Sequence, residues 1–229
     1  MLLIIDTSTK KSLIVMVFTK GFVKKVFGAN FDHSEKLLPE IFKLLKNRGL
    51  KKVKKIVVIS GPGSYTGLRV GIATANALGY ALDVPVLGIN RLEWLAFQDK
   101  NKTKEQICAV LPAIHDQVFA SIHKTGKQDR LEQKNSFFYG TVKDLLEEIK
   151  TSTFFIVGEL KRNNEVIGKN VLKKQLGKKF LGMDFINLFN DKSIKSLIDM
   201  SLDKLKNIKK GNLVVPLYIK KPNITLPKK

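Results

Sequence analysis

The sequence predicts an α/β protein of two lobes, with mixed sheets flanked by helices. Three apolar stretches of strand length follow one another within residues 2–27, close enough for hairpin links. A fourth, Ile56 to Ile59, breaks at Ser60-Gly61-Pro62-Gly63 and passes into a long helical stretch, so strand and helix begin to alternate. The polar run Asp99 to Gln106, DKNKTKEQ, then divides the chain into residues 1–100 and 101–229, and strands and helices resume beyond it. A length of 229 residues suits one large domain or two small lobes.

Taken in order, Leu2 to Asp6 and Leu13 to Phe18 read as strands, and Lys20-Gly21 as a tight turn into a third, Phe22 to Phe27. Asp32 or Ser34 can cap a helix that runs to about Lys46 and stops at Gly49. Pro39 sits in an early turn, where its missing N–H does little harm. After Ile56 to Ile59 and the helix that starts near Thr66 come a strand at Val84 to Gly88 and a capping box, Asn90 with Glu93, opening a short helix through Phe97. In the second half Ile107 to Ile114 and Val118 to His123 form an expected strand pair. Helix Val142 to Lys150, strand Thr153 to Val157, helix Lys192 to Ile208 and an extended Leu213 to Ile219 follow. Hairpin-linked strands followed by helix, strand and helix resemble the ribonuclease H-like module that actin-type ATPases duplicate, a likeness of fold that names no function.

The helix after Ser60 is unusual. Gly67, Gly71, Ala75 and Gly79 fall four residues apart and make one ridge of small side chains, and Ala73, Ala77 and Ala81 make another. Arg69 is the one charged residue between Ser60 and Leu82 in a chain that is 27% charged, whereas a surface helix shows a polar face. Glycine inside a helix costs about 1 kcal/mol against alanine, so the ridge predicts a very close neighbour. In the preceding helix Leu37, Leu38, Ile41, Phe42, Leu44 and Leu45 make a stripe wider than one contact needs. Both helices are therefore expected to be covered twice, by their own sheet and by another protein. The candidate partner-binding residues are Leu37, Leu38, Ile41, Phe42, Leu45, Gly67, Gly71, Ala75, Leu78 and Gly79. Which of them face outward is left open, and Gly71→Leu or Ala75→Arg is expected to abolish partner binding in a chain that still folds.

Composition narrows the classes. No apolar run reaches the roughly 20 residues that span a bilayer. The opening MLLIID lacks the basic segment of a signal peptide, and one cysteine, Cys108, suits a reducing cytoplasm. The net charge of +21 invites a nucleic-acid reading. Yet arginine stands only at positions 48, 69, 91, 130 and 162, and base readers favour arginine. The lysine clusters Lys51 to Lys55, Lys173 to Lys179 and Lys204 to Lys210 are scattered along the chain, with no aromatic stacking platform between them. They read mainly as solvated background, with weak RNA attraction as a by-product.

Chemistry has few footholds. Asp6 to Thr9, DTST, follows the first strand as a phosphate-facing turn does in actin-like kinases, or simply satisfies local backbone donors. A complete ATP site needs a second such turn and an adenosine-binding glycine pair, and Gly158-Glu159 supplies only half of that. A two-metal nuclease needs converging carboxylates; Asp6 and Glu35 or Glu40 lack a third at the end of the fourth strand, where Ser60-Gly61 stands. GPGSYTG, Gly61 to Gly67, departs from the Walker pattern at Leu68-Arg69 and reads as a tight turn that brings a helix close to the sheet. His33, His115 and His123 have no metal-binding spacing and read as surface or capping residues, Cys108 as a buried small hydrophobe. No nucleophile has an evident base, which argues against a peptidase.

LLIIDTST from Leu2, HSEKLLPEI from His33, SGPGSYTGLRVGIATANALGYALDVPVLGINRLEWLA from Ser60 and VVPLYIKKP from Val214 together resemble one family, the bacterial tRNA threonylcarbamoyladenosine biosynthesis subunits TsaB. The first lobe matches nearly throughout and the second loosely. Where the family carries Asp-Ala-Arg before a Val-Tyr pair, this chain has Pro112-Ala113-Ile114 before Val118-Phe119, so no role is carried over for that loop. The resemblance implies an actin-like fold without catalytic competence or a cofactor. It also implies binding, through the two helices of the first lobe, to the threonylcarbamoyl-transferring subunit TsaD, with the ATPase TsaE joining and tRNA reached through the complex. It further implies a homodimer through the same face when the chain is alone. The alternative from the residues themselves is an actin-fold ATP-dependent phosphotransferase using the Asp6 to Thr9 loop.

Overall fold

The computed structural model describes residues 1–28, 33–98, 106–114, 117–125, 131–133, 137–149, 153–158, 178 and 180–220. The first sheet consists of β1 (Leu2–Asp6), β2 (Ser12–Phe18), β3 (Gly21–Phe27), β4 (Lys55–Gly61) and β5 (Val86–Asn90), in the order β3-β2-β1-β4-β5. Antiparallel pairing sets Ile4 opposite Val15 and Val15 opposite Lys24, and parallel pairing sets Ile4 beside Val57 and Val57 beside Leu87. Strands buried on both faces need no polar alternation, which is why LLIID and IVVIS are continuous apolar runs. Edge strand β3 is different: Lys24 and Lys25 are exposed, and such charges discourage edge pairing.

The second sheet repeats this plan. Strands β6 (Gln106–Pro112), β7 (Gln117–Thr125), β8 (Leu131–Gln133), β9 (Phe138–Thr141), β10 (Phe154–Gly158) and β11 (Phe180–Phe185) have the order β11-β10-β6-β7-β8, with β9 also paired to β7. A hairpin-linked antiparallel portion joined to a parallel portion is thus used twice, the duplicated ribonuclease H-like arrangement expected of an actin-like fold.

Helices alternate with the sheets. Helices α1 (His33–Leu45) and α2 (Tyr65–Leu82) pack Leu37, Ile41, Leu68, Ile72 and Ala75 on the face of the first sheet that carries Leu3, Ile5 and Val58. Helix α3 (Arg91–Phe97) lies between the sheets, where Leu92, Trp94 and Leu95 meet Ile4 and Val57 on one side and Ile107 and Ala109 on the other. Helix α4 (Val142–Ile149) covers the far face of the second sheet over Cys108, Val110 and Ala120. The last helix, α5 (Asp191–Lys204), joins α3 in the middle layer through Ile194 and Leu197. Trp94 is fully buried there, and its indole N–H donates to the carbonyl of Ser193 at 3.2 Å, which satisfies the one polar atom of the ring.

Several terminators behave as expected and some do not. Helix α1 ends at Leu45 and the chain passes through two short 3-10 turns, Lys46–Arg48 and Leu50–Lys52, with Gly49 between them at φ +77°. Asp32 and the polar run 99–105 lie outside the described residues, and Ser34 sits inside α1. Ser64 caps α2, its hydroxyl accepting from the Gly67 N–H at 3.3 Å. Asn90 caps α3 by accepting from Leu92 N–H at 2.8 Å. The second arm of the expected capping box is diverted, because Glu93 pairs with Lys204 at 2.7 Å.

Residues 212–218 are extended and return to the first sheet. The Leu217 N–H donates to the carbonyl of Ser60 at 2.7 Å. The Asn76 side-chain amide donates to the Val214 carbonyl at 2.9 Å and accepts from its N–H at 3.1 Å. Tyr218 stacks on Tyr65 with ring centroids 4.7 Å apart. Gly61 allows this approach: it holds φ +130°, and a Cβ there would lie 2.7 Å from the Leu217 carbonyl oxygen.

Candidate functional site: the outer helices and the Asp6 turn

The ten residues singled out as partner-binding separate into two groups. Leu37, Ile41 and Leu45 of α1 are buried against the sheet, as are Gly67, Gly71, Ala75, Leu78 and Gly79 of α2. Leu38 and Phe42 point away from it, at 40% and 53% exposure. The glycine ridge therefore meets the protein's own core, which answers for these residues the question of orientation left open by the sequence. A Cβ at Gly67 would collide with the Thr7 carbonyl, one at Gly71 with Thr7 Oγ1, and one at Gly79 with Val86. Gly71→Leu and Ala75→Arg accordingly strike the fold itself.

The second small-residue ridge is the outward one. Ala73, Ala77 and Ala81 are exposed, with Arg69 one turn before them and Tyr80, at 91% exposure, beside them. Helices α1 and α2 are in contact, and Leu38 and Phe42 of α1, like the alanines of α2, are exposed. Isolated exposed apolar residues are ordinary, and the exposed side of α1 also carries Glu35, Lys36 and Lys43.

The turn after β1 is closed rather than open. The Asp6 carboxylate is buried, its Oδ1 accepting from the Ser8 N–H at 2.8 Å and the Ser8 hydroxyl at 2.6 Å, while Oδ2 has no hydrogen-bond partner among the described residues. Thr7 Oγ1 donates to the Gly67 carbonyl at 2.7 Å. The buried Arg91 donates from Nη1 to Ser8 Oγ at 2.7 Å. On the other side Ser64 N–H donates to the Ser8 carbonyl at 2.7 Å, and a Cβ at Gly63 would lie 2.7 Å from Ser8 Cβ. The GPGSYTG segment is thus a tight turn clamped on the Asp6 turn, and the Ser64, Gly67 and Leu68 amides at the start of α2 are already used within the protein. Helix N-termini attract anions through free amides; here Ser64, Gly67 and Leu68 have acceptors inside the protein.

The remaining titratable groups have structural settings. Asp6 falls on the face of the first sheet toward α3, whereas Glu35 and Glu40 belong to α1 on the opposite face. Glu40 is tied to Lys43 at 2.6 Å, which with the nearby lysines lowers its pKa. Among the described residues no cluster of three potential metal ligands occurs. Cys108 is fully buried, as its apolar context predicts, and burial pushes its thiol up to about 12. His123 corrects the sequence expectation. It is buried, Nε2 lies 2.6 Å from Ser121 Oγ, and burial, with Lys204 adding, pushes its pKa down to about 4. The signal for this pair was spacing: residues two apart on a strand share a face. Both are enclosed, so the pair is a core contact rather than a nucleophile with its base. Position 115 and Glu159 lie outside the described residues.

The family described as "TsaD: tRNA N6-adenosine threonylcarbamoyltransferase" matches residues 25–155, more than half of the chain. The chain is similar to the tRNA threonylcarbamoyladenosine biosynthesis protein TsaB of Bacillus subtilis (strain 168), 34% identical over 104 residues that make up 44% of each chain. It is also similar to the TsaB of Buchnera aphidicola subsp. Schizaphis graminum, 32% identical over 121 residues, 52% of this chain and 58% of that one. The matched region spans about half the length of these curated relatives. Among solved structures, YeaZ from Pseudomonas aeruginosa superposes with a TM-score of 0.66 over 95% of this chain and 99% of that one; at 21% identity this shows a shared fold.

Proposed function

The chain belongs to the family of TsaD, tRNA N6-adenosine threonylcarbamoyltransferase, and we propose that it serves there as a non-catalytic scaffold subunit. In this role it binds and supports the TsaD transferase subunit of the assembly that forms N6-threonylcarbamoyladenosine at position 37 of tRNAs reading codons that begin with A. Residues 1–100 form the lobe that carries the partner-binding helices. The observation that carries the proposal is the exposure of Leu38 and Phe42 on α1 and of Ala73, Ala77 and Ala81 on α2, two helices in contact with each other. Alanine ridges let a second pair of helices approach closely. The same face supports a homodimer when the chain is alone, while the ATPase TsaE and tRNA join through the complex. Among the described residues no helix is long and apolar enough to cross a membrane, which fits a cytoplasmic place for this work.

The alternative is an actin-fold ATP-dependent phosphotransferase that uses the Asp6 to Thr9 loop. Burial of Asp6, Thr7 and Ser8, with Arg91 and Ser64 bonded to the same turn, disfavours it, because a phosphate needs free donors there. Co-purification with the transferase, followed by a tRNA-modification assay with and without this chain, tests the proposal. A stable complex and modification that depends on the chain are expected. Absence of a complex, or micromolar Mg-ATP binding with turnover by the chain alone, would favour the alternative.

A further inference from the structure

The lysine clusters that look scattered in sequence are gathered by topology. Pairing of Leu2 with Val17 and Lys55, Phe18 with Gly21, and Ile56 with Val86 places the beginnings of β1, β3, β4 and β5 and the end of β2 at one edge of the first sheet. The link from α1 to β4 crosses that edge and carries Lys46, Arg48, Lys51, Lys52, Lys54 and Lys55. Hydrogen bonds from Met1 N to the Lys52 carbonyl, 3.2 Å, and from Lys54 N to the Met1 carbonyl, 2.9 Å, fix this link to the start of β1. The β2–β3 turn adds Lys20, and the Arg48 guanidinium lies 4.6 Å from the Phe18 ring centroid, which joins link and turn. The carboxylate in the neighbouring α2–β5 connection is Asp83, and Lys210 already pairs with it at 2.6 Å.

We infer that this basic rim, at the end of the first sheet opposite the Asp6 turn, is a contact surface for the phosphate backbone of folded RNA. Among the described residues none of the rim lysines lies in an ion pair, so their charge is available to a partner. Lysines meet phosphates as point charges, and such backbone contacts carry no sequence information. Among the described residues the link and the β2–β3 turn carry no exposed aromatic side chain, and those at the same end of the sheet, Phe42 and Tyr80, belong to α1 and α2, so the rim itself offers charge without a stacking platform, which favours a duplex backbone over a single strand. The exposed large apolar residues at that end, Val23, Phe42 and Tyr80, lie on β3, α1 and α2 outside the link and the turn, and the vesicle measurement below separates RNA from a bilayer. The choice of RNA among phosphate polymers rests on the function proposed above, whereas the charge arrangement does not.

Fluorescence anisotropy with a labelled tRNA transcript and the full chain tests this. The variant Arg48→Gln/Lys51→Gln/Lys52→Gln/Lys54→Gln is compared with a control, Lys124→Gln/Lys143→Gln/Lys192→Gln/Lys195→Gln, of equal charge change. The rim variant is expected to bind on the order of tenfold or more weakly, with a salt slope shallower by about 3 to 4, since each lost phosphate contact removes close to one. The control is expected to stay within about twofold of the parent. Equal losses in both variants would mean diffuse attraction and overturn the inference. So would unchanged binding by the rim variant, equal competition by duplex DNA of the same length, or rim-dependent sedimentation with phosphatidylserine vesicles without loss of tRNA binding. Co-elution with the transferase is read on the same rim variant. Its retention beside lost RNA binding separates this surface from the helix face.

Discussion

Thr7 and Gly67, 60 residues apart in the chain, are joined by a hydrogen bond of 2.7 Å from the threonine hydroxyl to the glycine carbonyl. One turn further along α2, Gly71 leaves room for the same hydroxyl. The first strand and the second helix are thus locked by an oxygen that fits because two helix positions lack side chains. Gly71→Ala would force that oxygen aside and is expected to lower stability by about 1–3 kcal/mol. Urea unfolding checks it, and an unchanged midpoint would show that the turn yields freely.

The outer face of the same helices should behave in the opposite way. Phe42→Glu and Ala77→Arg alter exposed positions, so unfolding free energy should move by no more than about 0.5 kcal/mol. Binding to the transferase should weaken by roughly tenfold or more, because a charge is placed in the centre of an apolar seam. Size-exclusion chromatography and calorimetry report the two quantities separately. The isolated chain should also lose self-association in these variants.

His123 predicts an acid-sensitive core. Its folded pKa, about 4, lies below the ordinary value of 6.5, so the unfolded chain binds the proton more readily between these values. Stability contributed by the neutral imidazole is therefore present above pH 6.5 and falls away as pH drops toward 4, by about 3 kcal/mol in all. Unfolding curves across that window should flatten in His123→Leu, and an equally steep profile would assign the acid sensitivity to other groups.

Cys108 should be silent toward alkylating reagents. With the thiol fully buried and its pKa pushed up to about 12, the thiolate is scarce at neutral pH. Iodoacetamide is expected to label the folded chain far more slowly than the chain in denaturant, as read by mass spectrometry. Equal rates would mean that the second sheet opens readily.

Strands were the most legible elements, because burial on both faces leaves continuous apolar runs such as IVVIS. Capping residues were visible at Asn90, while Glu93 was misjudged because its partner Lys204 lies more than a hundred residues away and no local pattern announces it. The orientation of α2 was hidden for a different reason. Both of its stripes are small and apolar, so periodicity finds two candidate inner faces and cannot rank them. What ranks them is the Asp6 turn, whose Thr7 side chain fits only over glycine. The basic rim was likewise invisible, since the fold, not sequence proximity, brings Arg48 over Phe18 at the β2–β3 turn that carries Lys20.

The extended segment that ends the described chain has a consequence for biosynthesis. Asn76 and Ser60 bond partners 138 and 157 positions downstream, as the spacing of Val214 and Leu217 requires. A nascent polypeptide leaving the ribosome therefore cannot finish its earliest layer until residue 217 has been translated. Meanwhile the unclosed flank at Gly61 and Gly88 is a place where chaperones can engage, and premature termination would leave it bare.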